Sequence, residues 1–169
     1  MIDFAGARSI RFVAIMAAAL AISACSKKPG DDPNAGLNPN GVAGRAIPGS
    51  PQDFVVNVGD RVFFETDSSE LTPTAQATLS KQASWLNRYS RYSIRLEGHA
   101  DERGTREYNF ALGARRASVT KNFLVAQGVP GSRIHTTSYG KERPVAVCND
   151  ISCWSQNRRA VTVPTGSGS

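Results

Sequence analysis

A chain of 169 residues suits one domain with extensions, and 40% apolar residues supply a core for it. Twenty Lys and Arg against 14 Asp and Glu leave a formal charge of +6, which permits contact with an acidic polymer or an anionic membrane. No long basic run accompanies that charge and the acids are scattered among the arginines, so nucleic acid is not an expected partner.

The chain opens with Arg8 and Arg11 ahead of an apolar run from Phe12 to Ile22. That run is too short to cross a hydrocarbon layer of about 30 Å, which takes around twenty apolar residues. With Ser23 and Ala24 before Cys25 it reads as a secretory signal over residues 1–24. The stretch Ile22 to Cys25 also resembles the bacterial lipobox, in which the cysteine is lipidated and becomes the mature N-terminus; the alternative is an ordinary signal followed by a chance cysteine. Ser26 rather than aspartate follows Cys25, which favours delivery to the outer membrane. A single acyl chain anchors only marginally, whereas the three carried by the lipoproteins that this motif resembles anchor stably. Residues 25–52 carry five prolines, five glycines and no aromatic residue from Ser26 onward. Such a segment reads as a flexible leash averaging roughly 30 Å end to end.

From Asp53 to Thr165 the composition becomes that of a folded domain. Arg61 to Glu65 reads as a short strand. Thr72 as N-cap and Pro73 at the first position open a helix whose core face is Ala75, Leu79, Ala83 and Leu86. Tyr92 to His99 alternates apolar and polar residues as a half-buried strand does. Thr105 caps a second helix reaching about Gln127, ended by Gly128 and Pro130, with Leu112, Val119 and Phe123 as its apolar stripe. Arg133 to Gly140 and Arg158 to Pro164 complete the strands, with a loop between them and a flexible tail at 166–169. The order β-α-β-α-β-β predicts a two-layer α/β sandwich on a mixed sheet.

Chemistry concentrates between Glu97 and Asn109, where Glu97, His99, Asp101, Glu102, Arg103 and Arg106 surround Gly104. If the strand persists, Glu97, His99 and Asp101 point to one face, an arrangement open to acid–base catalysis or glycoside hydrolysis. No nucleophile motif or zinc spacing accompanies them, so neither a metal nor a cofactor is expected. On the second helix Asn109, Leu112 and Arg116 share a face, hydrogen-bonding at both ends and apolar between. Spacing alone leaves two readings of Arg116: a ligand contact, or an arginine whose stem covers apolar surface.

The run Asn109, Leu112, Gly113, Arg116, Ala117, Thr120, Leu124 resembles the peptidoglycan-association motif of the OmpA-like domain family, with Gly113 in place of the family's serine and Thr120 in place of its valine. The stretches at Glu97–Asn109, Ser138–Pro144 and Gln156–Val161 are similar to those of the peptidoglycan-associated lipoproteins of the Tol–Pal system. The resemblance implies an α/β OmpA-like fold and non-covalent binding of peptidoglycan through the diaminopimelate of its stem peptide. By the same resemblance Asp101 meets the ligand's ammonium and Arg116 its carboxylate. Arg103, Gly104 and Thr105 line the loop, Asn109 and Leu112 the helix face, and Phe64, Glu65 and Arg158 the walls. Related sequences carry aspartate where Glu65 stands. Glu97 and His99 are then structural, supporting the loop from below. Also implied are a periplasmic propeller partner of the TolB type, an outer-membrane lipid anchor, and a part in envelope integrity and constriction at division.

A secreted location makes a disulfide the default for Cys148 and Cys153, a local staple in the loop before the last strand. Two other classes stay open: a murein hydrolase using Glu97 or Asp101, and an OmpA-like domain that binds no ligand.

Overall fold

The computed structural model describes residues 46–166. The expected signal peptide at 1–24, the lipidation site Cys25, the leash as far as 45 and the tail beyond 166 lie outside the described residues. No described helix is long and apolar enough to cross a membrane.

Residues 46–52 differ from the leash reading. Ser50 accepts from the Asp53 amide and starts a single helical turn, α1 (Pro51–Asp53), that runs into a π-helical turn at Phe54–Val58. The Gly49 carbonyl takes the Tyr92 hydroxyl at 2.8 Å and Arg91 Nη2 at 2.7 Å. Composition alone cannot reveal this docking, because it is made by backbone groups and not by apolar side chains. Phe54 is fully buried beside Trp85, ring centroids 4.9 Å apart, and Trp85 in turn stacks on Tyr92 at 5.3 Å.

β1 (Arg61–Phe63) is shorter than the expected run to Glu65. Beyond it the chain turns, and Asp67 takes a left-handed φ of 53°, which aspartate tolerates. Helix α2 (Pro73–Arg88) starts as its sequence dictates: Thr72 Oγ1 accepts from the Ala75 amide and Pro73 occupies the first position. Its buried residues include Ala75, Leu79, Ala83 and Leu86. β2 (Ser93–His99) buries Ile94 and Leu96 while Arg95 stays exposed.

Helix α3 (Arg106–Ala126) is capped by Thr105 and followed by Gly128 at φ 89°. Its buried face is Asn109, Leu112, Gly113, Arg116, Ala117, Thr120 and Leu124, so the expected stripe is corrected. Val119 and Phe123 pack only at the edge of the core, because the helix seats its small residues against the sheet. The seat is at Gly98 and Gly113: a Cβ on Gly98 would lie 1.8 Å from the Gly113 carbonyl oxygen. Backbone therefore meets backbone here, and any side chain holds the helix off.

Arg133 belongs to a 3-10 turn, Gly131–Arg133, and not to the third strand. Its guanidinium is drawn away to the carbonyls of Tyr92 and Leu86. β3 (Ile134–Gly140) follows, then helix α4 (Ile151–Asn157) within the expected loop, and β4 (Arg159–Thr165). The sheet order is β1-β4-β2-β3. β2 and β3 run parallel across the α3 crossover, and β4 runs antiparallel to both β1 and β2. Buried side chains of α2, α3 and the sheet form one core that includes Leu79, Leu86, Ile94, Leu96, Leu124 and Ile134. The result is the two-layer α/β sandwich with a mixed sheet.

Candidate functional site: a charged cavity beside helix α3

β2 slips register between Gly98 and His99, and the chain leaves the sheet as the loop Ala100–Thr105. The slip takes Asp101 away from the other two side chains expected on one face, while Glu97 Oε2 stays 3.9 Å from His99 Nε2. Glu97 pairs with Arg95 at 2.8 Å on the sheet, whereas Asp101 sits in the loop among arginines. The catalytic arrangement of Glu97, His99 and Asp101 therefore does not form.

Asp101 is buried and accepts from the Arg103 amide at 3.2 Å, Arg103 Nε at 3.2 Å and Nη2 at 2.7 Å, with Arg158 Nη1 at 3.5 Å. Burial pushes its carboxyl upward, but the Arg103 and Arg158 hydrogen bonds outweigh that and hold it below the usual carboxylate range. The loop is fixed from three sides. Asn109 Nδ2 donates to the Arg103 carbonyl at 2.6 Å, and Lys141 Nζ to the Gly104 carbonyl at 2.7 Å. Trp154 of α4 lies under the Arg103 guanidinium, 4.2 Å from the ring centroid, and donates its indole N–H to Glu102. Gly104 turns the chain at φ 85° into the α3 cap.

Arg116 is the largest fully buried side chain. Its Nε donates to the Ser68 carbonyl at 2.9 Å, Nη1 to His99 at 2.8 Å and Nη2 to Glu65 at 3.1 Å, while the guanidinium lies 5.2 Å from the Phe64 ring centroid. Burial pushes its pKa down to about 10, with nearby Asp101 opposing, so it stays charged at neutral pH. Three of its five N–H groups are thus committed to backbone, which ties the turn after β1 to the end of β2.

Asp101, Arg103, Gly104, Asn109, Leu112 and Arg116 line one cavity of about 200 Å³, together with Thr66, Asp67 and Tyr108. Sequence reasoning missed the last three. Tyr108 precedes the helix motif by one residue and donates its hydroxyl to Asp67 across the cavity mouth. Thr105 does not line this cavity; its hydroxyl caps α3 at the Tyr108 amide. Phe64, Glu65 and Arg158 line a neighbouring cavity of about 480 Å³ along β1 and α2. The larger space is not where the charges converge. Arg158 joins the two, bonding Phe64 O at 3.0 Å as well as Asp101.

His99 is 2% exposed and packs beside Tyr139 and Arg159. Burial and then the Arg159 charge push its pKa down to about 4, so the ring is neutral at pH 7. Its support of the loop runs through its backbone carbonyl to Arg116, while Glu97 binds Arg95 and not the loop. Cys148 and Cys153 are joined, Cα atoms 5.7 Å apart, at the start of α4. Among the described residues, no three His, Cys, Asp or Glu side chains group as a metal-binding set.

Asp67 and Asp101 beside Arg103 and Arg116 make a cavity suited to a small zwitterion. The sequence profile of the OmpA family matches residues 63–158. The peptidoglycan-associated lipoprotein of Agrobacterium fabrum is 63% identical over 156 residues, covering 92% of this chain and 88% of that one. The protein of the same name from Pseudomonas aeruginosa is 43% identical over 88% of this chain and 93% of its own. The crystal structure of the peptidoglycan-associated lipoprotein from Burkholderia pseudomallei superposes with a TM-score of 0.65 at 36% identity, covering 69% of this chain and all of that one. The C-terminal domain of Helicobacter pylori MotB, at 21% identity and a TM-score of 0.59, shares the fold. With Asn109, Leu112 and Arg116 of the motif lining one cavity and relatives matched over nearly their whole length, the chain belongs to the OmpA family, among its peptidoglycan-associated lipoproteins.

Proposed function

We infer that this is an outer-membrane lipoprotein that grips peptidoglycan non-covalently by the diaminopimelate of the stem peptide, as part of a Tol–Pal system. The protein is a binder and not an enzyme. The observation that carries the reading is the meeting of Asp101 and Arg116 in one small cavity, an anion beside a cation. Diaminopimelate ends in an ammonium and a carboxylate on one carbon, so its recognition needs one of each. The ammonium takes Asp101 in exchange for Arg103, whose side chain is 40% exposed. The carboxylate takes Arg103 and the N–H groups that Arg116 has left over. A propeller protein of the TolB type would share this surface, making peptidoglycan and protein alternative partners during envelope constriction at division. Cys25 would carry the lipid that holds the domain beneath the outer membrane.

The test is co-sedimentation of the full-length protein with diaminopimelate-type sacculi, alongside lysine-type sacculi, whose side chain ends in an ammonium without the carboxylate. Wild type pellets with the first and much less with the second. Asp101→Ala stays in solution, losing roughly 2–5 kcal/mol of binding if the ammonium contact is desolvated. Equal pelleting of wild type and Asp101→Ala would refute the site, and release of soluble muropeptides would refute the binder.

A further inference from the structure

Trp154 lies outside the core cluster, yet two residues of the ligand loop converge on it. The Arg103 guanidinium stacks 4.2 Å above its ring centroid and Glu102 accepts its indole N–H. The helix that carries it is seven residues long, too short to persist on its own. It is held at both ends. At the start, the Cys148–Cys153 bond and the Asp150 carboxylate, which accepts from the Ser152 amide, fix the first turn. At the finish, the Arg158 amide donates to the Trp154 carbonyl at 3.1 Å, and the Arg158 side chain runs on to Asp101.

We propose that Trp154 is a positioning residue for peptidoglycan binding, acting through Arg103, and that the Cys148–Cys153 staple serves to hold it there. The inference rests on the peptidoglycan reading of the cavity. Its physical basis is side-chain freedom. An arginine that is 40% exposed samples many rotamers, and a flat aromatic surface beneath the guanidinium selects the few in which its fork faces the cavity. Arg103 then meets Asp101 before the ligand arrives and is poised to take a ligand carboxylate when the ammonium displaces it. Binding to a loop organised in this way avoids the ordering that would otherwise oppose it. Asp150, at the head of the same helix, has its carboxyl held low by Ser152 and keeps the cap through neutral pH.

The experiment titrates full-length protein against diaminopimelate-type sacculi and reads the retained fraction. Trp154→Leu keeps the apolar bulk and removes the π face; its half-saturation rises about tenfold. Trp154→Phe keeps a π face and stays within about threefold of wild type. Cys148→Ser with Cys153→Ser weakens binding in the same direction as Trp154→Leu. In an Arg103→Ala background, Trp154→Leu brings no further loss, because the two act as one unit. Circular dichroism confirms that each variant is folded. Wild-type affinity in Trp154→Leu, or a full loss added on top of Arg103→Ala, overturns the role of Trp154 and leaves the cavity assignment standing. Failure of wild type itself to bind sacculi overturns the peptidoglycan reading, and this inference with it.

Discussion

Replacing Arg116 by methionine keeps an unbranched apolar stem and deletes the guanidinium, with its donors, its charge and its contact over Phe64. Three carbonyls, those of Ser68, His99 and Glu65, then lose partners now at 2.9, 2.8 and 3.1 Å. A buried acceptor left unsatisfied costs about 1–3 kcal/mol. The His99 bond is buried, whereas those to Ser68 and Glu65 are part-buried and the Glu65 carbonyl keeps the Ser68 amide at 3.3 Å. The three together therefore give about 2–6 kcal/mol. Against this stands the relief of no longer burying a guanidinium, a burden already visible in the fall of its pKa to about 10. The expected net loss is about 2–4 kcal/mol, lowering the melting midpoint by roughly 8–16 °C for a domain of this size. Arg116→Lys recovers part of the loss, since one ammonium cannot reach all three carbonyls. Thermal and urea denaturation followed by circular dichroism measures both. A midpoint for Arg116→Met within about 3 °C of wild type would show that the three carbonyls do not depend on this side chain, refuting the reasoning. The result also decides how binding data on this residue are read, because loss of sacculus retention in an unfolded variant says nothing about a carboxylate contact.

Three further outcomes are expected. The folded pKa of His99, about 4, lies below its ordinary 6.5, so the unfolded chain takes up the proton first as pH falls. Wild type therefore loses stability relative to His99→Gln between pH 6.5 and 4, by up to roughly 3 kcal/mol, and a stability difference that stays flat over that window in urea titrations would contradict the buried neutral ring. Gly98→Ala drives a methyl into the Gly113 carbonyl and costs at least about 3 kcal/mol, read from its denaturation midpoint; a loss below about 1 kcal/mol would mean that α3 and β2 part easily. A chain starting at residue 53 melts earlier than one starting at 46, by about 2–3 kcal/mol of stability, because it lacks the Gly49 carbonyl that binds Tyr92 and Arg91; equal midpoints would return residues 46–52 to the leash.

Local chemistry was readable from the sequence where a few neighbouring residues decide it. Thr72 before Pro73 and Thr105 before α3 are caps, and Gly128 is a terminator, whatever surrounds them. The alternation at Ile94 and Leu96 likewise holds. Helix α4 escaped because its seven residues carry no apolar period and depend on Asp150 and a disulfide. Arg116 was split between two readings because spacing reports a direction and not what waits there; the waiting carbonyls come from segments 48 and 51 positions away. Thr66 and Asp67 carried no signal, since only the turn after β1 brings them to the cavity. The parting of Glu97 from Asp101 required a register slip that no residue pattern announces.

The last strand of the chain lies inside the sheet, between the first and second. Val62 opposite Ala160 joins nearly the two ends of the domain, so β1 has no partner in the sheet until β4 arrives. Closure of the full sheet must therefore wait for the C-terminus, and pairings of this reach close slowly. For a chain exported as proposed above, that order is useful. While the final strand is still on the far side of the inner membrane, β1 cannot be joined to the β2–β3 pair, so the complete sheet that would jam the passage cannot close. Arg158, at the threshold of β4, is also among the last side chains to reach Asp101, so the charged cavity is completed only in a molecule that has crossed in full.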